Sequence, residues 1–383
     1  MKRGLAAAMS LAVLLCLLPL RVLARAPEVG GKSAYLMDVA TGTTLGEFNA
    51  HEKLAPASVT KVMTMLLIME AVDSGKIGWE DTVTTSEGAA AKGGSQIYLK
   101  VGEQMTVRDM MKSIAVSSAN DCACAMAEHL AGSEAAFVER MNERAKELGL
   151  NDTHFVNCTG LDDGPDAAAH RTSAHDIAVM SRELLSRHPD ITKYTTIWMD
   201  TIRGGAFGLS NTNKLIRFYP GATGLKTGFT STAGYCLSAT AKREDLELIA
   251  VVMGCESAKI RTAACKSMLD YGFAGYALVT PGLEDAPVVP VRLGKEASVP
   301  LQLEGAGSLL VPKAKRSGIE TKLQLEEEVT APVERGQKLG TLTITSGEET
   351  LLETPLVAAQ PVPRLTLGEI YVTVLRRIAM AKG

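Results

Sequence analysis

The chain has 383 residues, 46% of them apolar, and a net charge of −3. That length suits two domains. The balance excludes the basic surplus of a nucleic-acid binder and the acidic, apolar-poor make-up of a disordered chain, so no nucleic-acid partner is expected.

The chain opens with Met1-Lys2-Arg3, an apolar run from Leu5 to Leu20, and the small residues Ala24 and Ala26. A basic start, a short apolar core and a small-residue end describe an export signal over 1–26, cleaved after Ala26 or Ala24. The run is short for a bilayer span. Cys16 follows the bulky Leu15, which does not suit a lipoprotein processing site. The six remaining cysteines are Cys122, Cys124, Cys158, Cys236, Cys255 and Cys265. A chain this long builds a core without staples, and they read mostly as small buried hydrophobes. No C-x-x-C or H-x-x-x-H grouping points to a metal.

Ser33 to Asp38, the turn Ala40-Thr41-Gly42, and Thr43 to Glu47 read as a hairpin. Ala57-Ser58-Val59-Thr60-Lys61 then leads into Val62 to Met69, apolar nearly all round, which predicts a helix buried on most sides. Residues 79–105 are loop-rich, with Gly93-Gly94 in a turn. Helical periodicity follows over Thr106 to Ser117, Asn120 to Leu130, and Glu134 to Leu148, closed by Gly149. Together these predict an all-helical lobe. The period changes to strands at Leu225 to Phe229, Gly234 to Ala241 and Leu246 to Met253, consecutive and antiparallel. The N-terminal hairpin is suited to complete that sheet. A helix from Ile260 to Tyr271 follows. From Pro281 to about Val362, short alternating segments broken by Gly and Pro predict a small β domain. The expected division is 1–26 signal, 27–281 catalytic domain, 282–362 β domain and 363–383 C-terminal helix. The expected class is α+β: an antiparallel sheet flanked by helices, with a helical lobe, then a small all-β domain.

Three short motifs lie on these elements. Ser58 and Lys61 are three apart, so a helix places them on one face. A hydroxyl, an amine within reach and the free N–H groups of a helix start describe an activated serine. Ser117-Ser118-Ala119-Asn120-Asp121 joins two helices, and Ser118 and Asn120 can share a cleft; a helix N-cap is the plainer reading. Leu225-Lys226-Thr227-Gly228-Phe229 lies on a strand, where the glycine marks a close approach by another chain or a ligand. A peptide lying along this strand edge requires such an approach.

S-x-x-K, S-x-N and K-T-G, in that order and in those contexts, form the set found in penicillin-binding proteins and class A β-lactamases. The chain resembles the serine-type D-Ala-D-Ala carboxypeptidases, the low-molecular-weight penicillin-binding proteins. The resemblance extends to the stretch from Leu148-Gly149-Leu150 through Thr153-His154-Phe155 to Gly160-Leu161, and to Gly224 before Lys226. It also covers the layout, essentially from end to end. Phe229 stands where some relatives carry His.

The resemblance implies that Ser58 attacks the carbonyl between the two terminal D-alanines of a cell-wall stem peptide, and that penicillin is bound covalently. Lys61 is the base. A charged Lys cannot accept a proton, so its pKa must be lowered, by burial and by Lys226 as a like charge. By resemblance, Ser58 and Phe229 supply backbone oxyanion donors. Ser118 relays a proton, and Asn120 and Gly228 help hold the substrate. Lys226, Thr227 and Arg261 are candidates for its carboxylate, Arg261 being equally readable as a surface residue at a helix start. No metal or organic cofactor is called for. A class A-like β-lactamase needs a Glu to activate water, and Glu183-Leu184-Leu185-Ser186 is not the E-x-x-L-N expected of one. A non-catalytic penicillin-binding sensor is disfavoured because every motif residue is present.

Thr366-Leu367-Gly368-Glu369 has the form of a capping box. Leu367, Ile370, Tyr371, Val374, Leu375 and Ile378 follow one helical face, with Arg376, Arg377 and Lys382 off it. This predicts an amphipathic helix lying on an anionic membrane surface, placing the enzyme peripherally on the outer face of the cytoplasmic membrane.

Overall fold

The computed structural model describes residues 29–280, 283, 287–305 and 307–372. The expected export signal, 1–26, and residues 373–383 of the expected C-terminal helix lie outside the described residues.

The hairpin forms as read, with strands β1 (Ser33–Asp38) and β2 (Thr44–Phe48). Its turn is fixed by the Asp38 carboxylate, which accepts from the Thr41 N–H and hydroxyl, both at 2.7 Å. Ser58 sits in a single 3-10 turn, Ala57–Thr60, and the regular helix α1 begins only at Lys61 (Lys61–Asp73). Val62, Met63, Met65, Leu66, Ile68 and Met69 of α1 are all fully buried, as an all-round apolar helix requires.

Helices α2 (Val107–Ser117), α3 (Asn120–Ala131) and α4 (Glu134–Glu147) make the lobe around α1. Thr106 caps α2 by accepting from Asp109 N at 3.1 Å, and Ser133 caps α4 through Ala136 N at 3.1 Å. Helix α5 (Ala174–Arg187) packs between α1 and the sheet. The later strands are β3 (Ala222–Thr230), β4 (Gly234–Arg243) and β5 (Leu246–Cys255), followed by α6 (Ala258–Gly275).

The sheet runs β2-β1-β5-β4-β3, antiparallel throughout. The hairpin therefore does complete it, against β5. One face packs on the helical lobe. The other packs on α6 through Leu36, Leu237, Leu248, Val252, Met268 and Leu269. The order leaves β3 at an edge, facing the lobe and the Ser58 turn.

A six-stranded sheet with its own core of Val289, Val299, Leu301, Leu342, Ile344 and Leu356 follows. The strand Tyr276–Val279 pairs with Leu309–Pro312, so pairing crosses the boundary read near Pro281. Leu365 N donates to Leu293 O at 2.9 Å, fastening the C-terminal segment to this domain. The capping box forms: Thr366 N donates to Glu369 Oε2 at 2.7 Å, and Glu369 N to Thr366 Oγ1 at 3.3 Å. Six described helical residues follow, with Leu367 87% and Tyr371 66% exposed. No helix among the described residues is long and apolar enough to cross a membrane.

Candidate active site

Ser58 is half-buried at the meeting of α1, the loop 157–161 and the edge strand β3. Two close approaches set its backbone. A Cβ on Gly160 would lie 1.8 Å from the Ala57 carbonyl oxygen, and one on Gly228 would lie 2.8 Å from Pro56 O and 3.1 Å from Ser58 N. Gly228 is thus required by the chain's own nucleophile turn, not by an external peptide. Ala57 itself has φ +49°, a left-handed conformation in which a non-glycine residue is strained.

Lys61 is fully buried. Its amine lies 2.9 Å from Ser58 Oγ, 2.5 Å from Asn120 Oδ1 and 2.9 Å from the Thr159 carbonyl. Burial pushes its pKa down to about 7, while Asp121 and Cys158 pull in the opposite direction. Lys226, the like charge expected beside it, is itself lowered well below the lysine range, by burial first and then by Lys61 and Arg261.

The S-x-N loop is not an N-cap. Ser118 ends α2 in a left-handed conformation (φ +63°), buried, with no side-chain hydrogen-bond partner among the described residues. Asn120 opens α3. Its carboxamide accepts from Lys61 and donates to Gly93 O at 2.7 Å, which fixes which end faces the amine. Buried Asp121 accepts from Ile97 N at 3.1 Å and Leu99 N at 3.0 Å, holding the loop around Gly93-Gly94 over the site.

Lys226, Thr227 and Gly228 form the opposite wall, all buried. Among the described residues Lys226 Nζ donates only to Thr227 O, at 2.9 Å, so donor capacity is left over. The Thr227 hydroxyl meets the Thr212 hydroxyl at 2.6 Å. Phe229 is 54% exposed and stacks on Tyr235 at 4.2 Å between ring centroids. Arg261 is not a surface residue. It is buried, its guanidinium 5.7 Å from the Tyr235 ring, with Nη1 at 3.5 Å from both Gly228 O and Cys236 O and Nε without a partner.

Several residues around the site carry no sequence motif: Thr159, His170 and the Asn211-Thr212-Asn213 stretch. The paired asparagines around a Thr, directly after the strand Phe207–Ser210, were the one local signal available. All six described cysteines are buried and unpaired in disulfides. Glu183, weighed as a water activator, is bound to Arg144 at 2.7 Å. Among the described residues no group of His, Cys, Asp and Glu is placed to hold a metal ion.

A serine hydroxyl against a buried amine, beside an open strand edge lined with cationic donors, defines a serine acyl-transfer site. Comparison with known proteins agrees. Residues 21–257 match the profile of the D-alanyl-D-alanine carboxypeptidase family, and residues 280–364 that of the penicillin-binding protein 5 C-terminal domain. The D-alanyl-D-alanine carboxypeptidase DacF of Bacillus subtilis (strain 168) is 44% identical over 352 residues, 90% of this chain and 88% of that protein. DacC of Escherichia coli (strain K12) is 35% identical over 350 residues, 88% of this chain and 85% of that one. Among solved structures, penicillin binding protein 5 from Haemophilus influenzae aligns with a TM-score of 0.74 at 30% identity, covering 88% of this chain and 99% of that one. Penicillin-binding protein D2 from Listeria monocytogenes, in its ampicillin-bound form, aligns with a TM-score of 0.59 at 31% identity over 64% of this chain and 100% of that one. This chain belongs to the D-alanyl-D-alanine carboxypeptidase family, serine-type peptidases of peptidoglycan metabolism.

Proposed function

We propose that the enzyme removes the terminal D-alanine from peptidoglycan stem peptides ending in D-Ala-D-Ala through an ester on Ser58, and that β-lactams acylate the same hydroxyl. The observation that carries this is the triple hydrogen bonding of the Lys61 amine. A neutral amine has two N–H groups and one lone pair. Asn120 Oδ1 and Thr159 O take the two N–H groups, so the lone pair is left facing Ser58 Oγ. With its pKa near 7, Lys61 is neutral in a useful fraction at neutral pH and takes the Ser58 proton as the ester forms.

The substrate lies along the free edge of β3. The N–H groups of Ser58 and Phe229 stabilise the oxyanion. Ser118, its hydroxyl uncommitted, passes a proton to the leaving amine, and Asn120 borders the acyl side. The terminal carboxylate enters beside Lys226, Thr227 and Arg261, whose donors suit an anion. Its charge favours the protonated form of Lys226. Water then hydrolyses the ester.

The division into an exported catalytic domain over 27–281, a β domain over 282–362 and a helix from 363 carries over as part of this reading. Exposed Leu367 and Tyr371 support a helix whose apolar face meets an anionic membrane surface rather than the β domain. The test is D-alanine release from a pentapeptide mimic, run beside penicillin labelling. Ser58→Ala must abolish both, and labelling at any other serine would overturn the assignment.

A further inference from the structure

We infer that Thr212 is a positioning residue for the anionic end of the substrate, acting through Thr227; this rests on the carboxylate site proposed above. Three observations carry it. First, Thr212 is exposed while its neighbours Asn211 and Asn213 are buried and fully committed. Asn211 Nδ2 donates to Thr195 O at 3.1 Å and Ile197 O at 2.8 Å, and its Oδ1 accepts from Asn213 N at 2.8 Å. Asn213 Nδ2 donates to Gly224 O at 2.7 Å and its Oδ1 accepts from Leu215 N at 3.1 Å. Two buried polar side chains thus fix one exposed threonine in place. Second, Thr212 N donates to Val116 O at 3.1 Å, near the end of the helix that leads to Ser118, while its hydroxyl meets that of Thr227 on β3 at 2.6 Å. It therefore ties together the two walls of the cleft. Third, Thr212 is the sole hydrogen-bond partner of the Thr227 hydroxyl among the described residues.

Two hydroxyls at this distance share one hydrogen, and the pair keeps one hydrogen to give away. When Thr212 donates to Thr227, the Thr227 hydrogen is released toward an anion beside Lys226. Donation along such a chain strengthens the outer bond. An arriving carboxylate selects this arrangement, so Thr212 sets the direction of the Thr227 O–H. Neither hydroxyl takes part in bond making or breaking.

The experiment measures binding of an N-acylated peptide ending in D-Ala-D-Ala, and of its C-terminal amide, in a Ser58→Ala background where neither is cleaved. Thr212→Val should weaken the acid about five- to tenfold and leave the amide within twofold, at unchanged melting temperature, and Thr212→Ser should restore the acid. An unchanged acid-to-amide ratio in Thr212→Val, with the ratio shifted in Thr227→Val, overturns this inference alone. An unchanged ratio in both variants overturns the carboxylate site itself. Equal weakening of acid and amide, or failure of Thr212→Ser to rescue, makes Thr212 merely structural and also overturns it.

Discussion

The Lys61 amine lies 2.9 Å from the Ser58 hydroxyl oxygen, and its other two bonds end on Asn120 Oδ1 and Thr159 O. Position and protonation are thereby separated. Asn120 and Thr159 aim the amine, and burial sets its pKa near 7. The acylation rate should rise about tenfold per pH unit below that value and level off above it, because only the neutral amine accepts a proton. Stopped-flow acylation by a chromogenic β-lactam between pH 5 and 9 reads this. A flat profile would exclude Lys61 as the base. Asn120→Ala, which frees the amine to rotate, should slow acylation by about 10²-fold, with the fold checked by circular dichroism.

Gly160 has no room for a side chain. Its φ is +83°, and an added Cβ would sit 1.8 Å from the Ala57 carbonyl. Gly160→Ala should cost about 2–4 kcal/mol of stability, from overpacking and from the left-handed backbone. It should also displace the residue before the nucleophile. Urea unfolding and acylation kinetics on the same sample test both. A variant as stable and as fast as wild type would mean that the turn gives way freely.

His170 braces the same turn from the other side. Its Nδ1 accepts from Val156 N at 3.2 Å, so Nε2 carries the hydrogen and donates to Thr60 Oγ1 at 2.8 Å; Thr60 in turn donates to Ala57 O at 2.9 Å. Burial pushes the imidazole down to about 4. A histidine depressed in the folded state binds fewer protons there than in the unfolded chain between that value and 6.5. Stability is therefore complete above pH 6.5 and lost as the pH falls toward 4, by about 2 kcal/mol at pH 5. His170→Gln should lose this component of the slope. Equal slopes in wild type and variant would assign the acid sensitivity elsewhere.

Local spacing made much of this legible. Ser58 and Lys61 share a face because of a three-residue interval, and the strands of the sheet follow from their period. The N-terminal hairpin found its place because an antiparallel meander needs partners. What the sequence withheld depends on long-range approach. Gly228 reads as a glycine with a close neighbour, but only folding identifies that neighbour as Pro56 to Ser58. Thr159 serves Lys61 through a backbone carbonyl, which any residue type supplies. Of the two causes read for the Lys61 shift, burial is the dominant one. How complete that burial is depends on the packed lobe, which no motif displays.

Arg261 tests how the anion site is shared. Its guanidinium is buried with Nε unpartnered and Nη1 held only at 3.5 Å. A buried donor without a partner is costly, and a carboxylate would satisfy it. Arg261→Ala should reduce turnover of a free-acid peptide about tenfold or more relative to its amide. An unchanged ratio would leave Arg261 as support for Tyr235 and β4 alone.

The C-terminal helix bears on where the enzyme works. Residues as far as Leu365 are tied to the β domain, by Leu365 N to Leu293 O at 2.9 Å and Lys295 N to Pro363 O at 2.9 Å. Beyond them the capping box starts a helix whose Leu367 and Tyr371 face solvent, with Ile370 between them partly covered. Lys295 pairs with Glu369 at 3.1 Å, an exposed contact that solvent screens. Deleting residues 366–383 should therefore leave the β domain folded and the enzyme active. It should also move the protein from the membrane pellet to the soluble fraction, and vesicles rich in anionic lipid should bind the full chain but not the truncated one. Loss of folding on truncation would place the helix in the protein core. Unchanged sedimentation with vesicles would put the membrane contact on another surface.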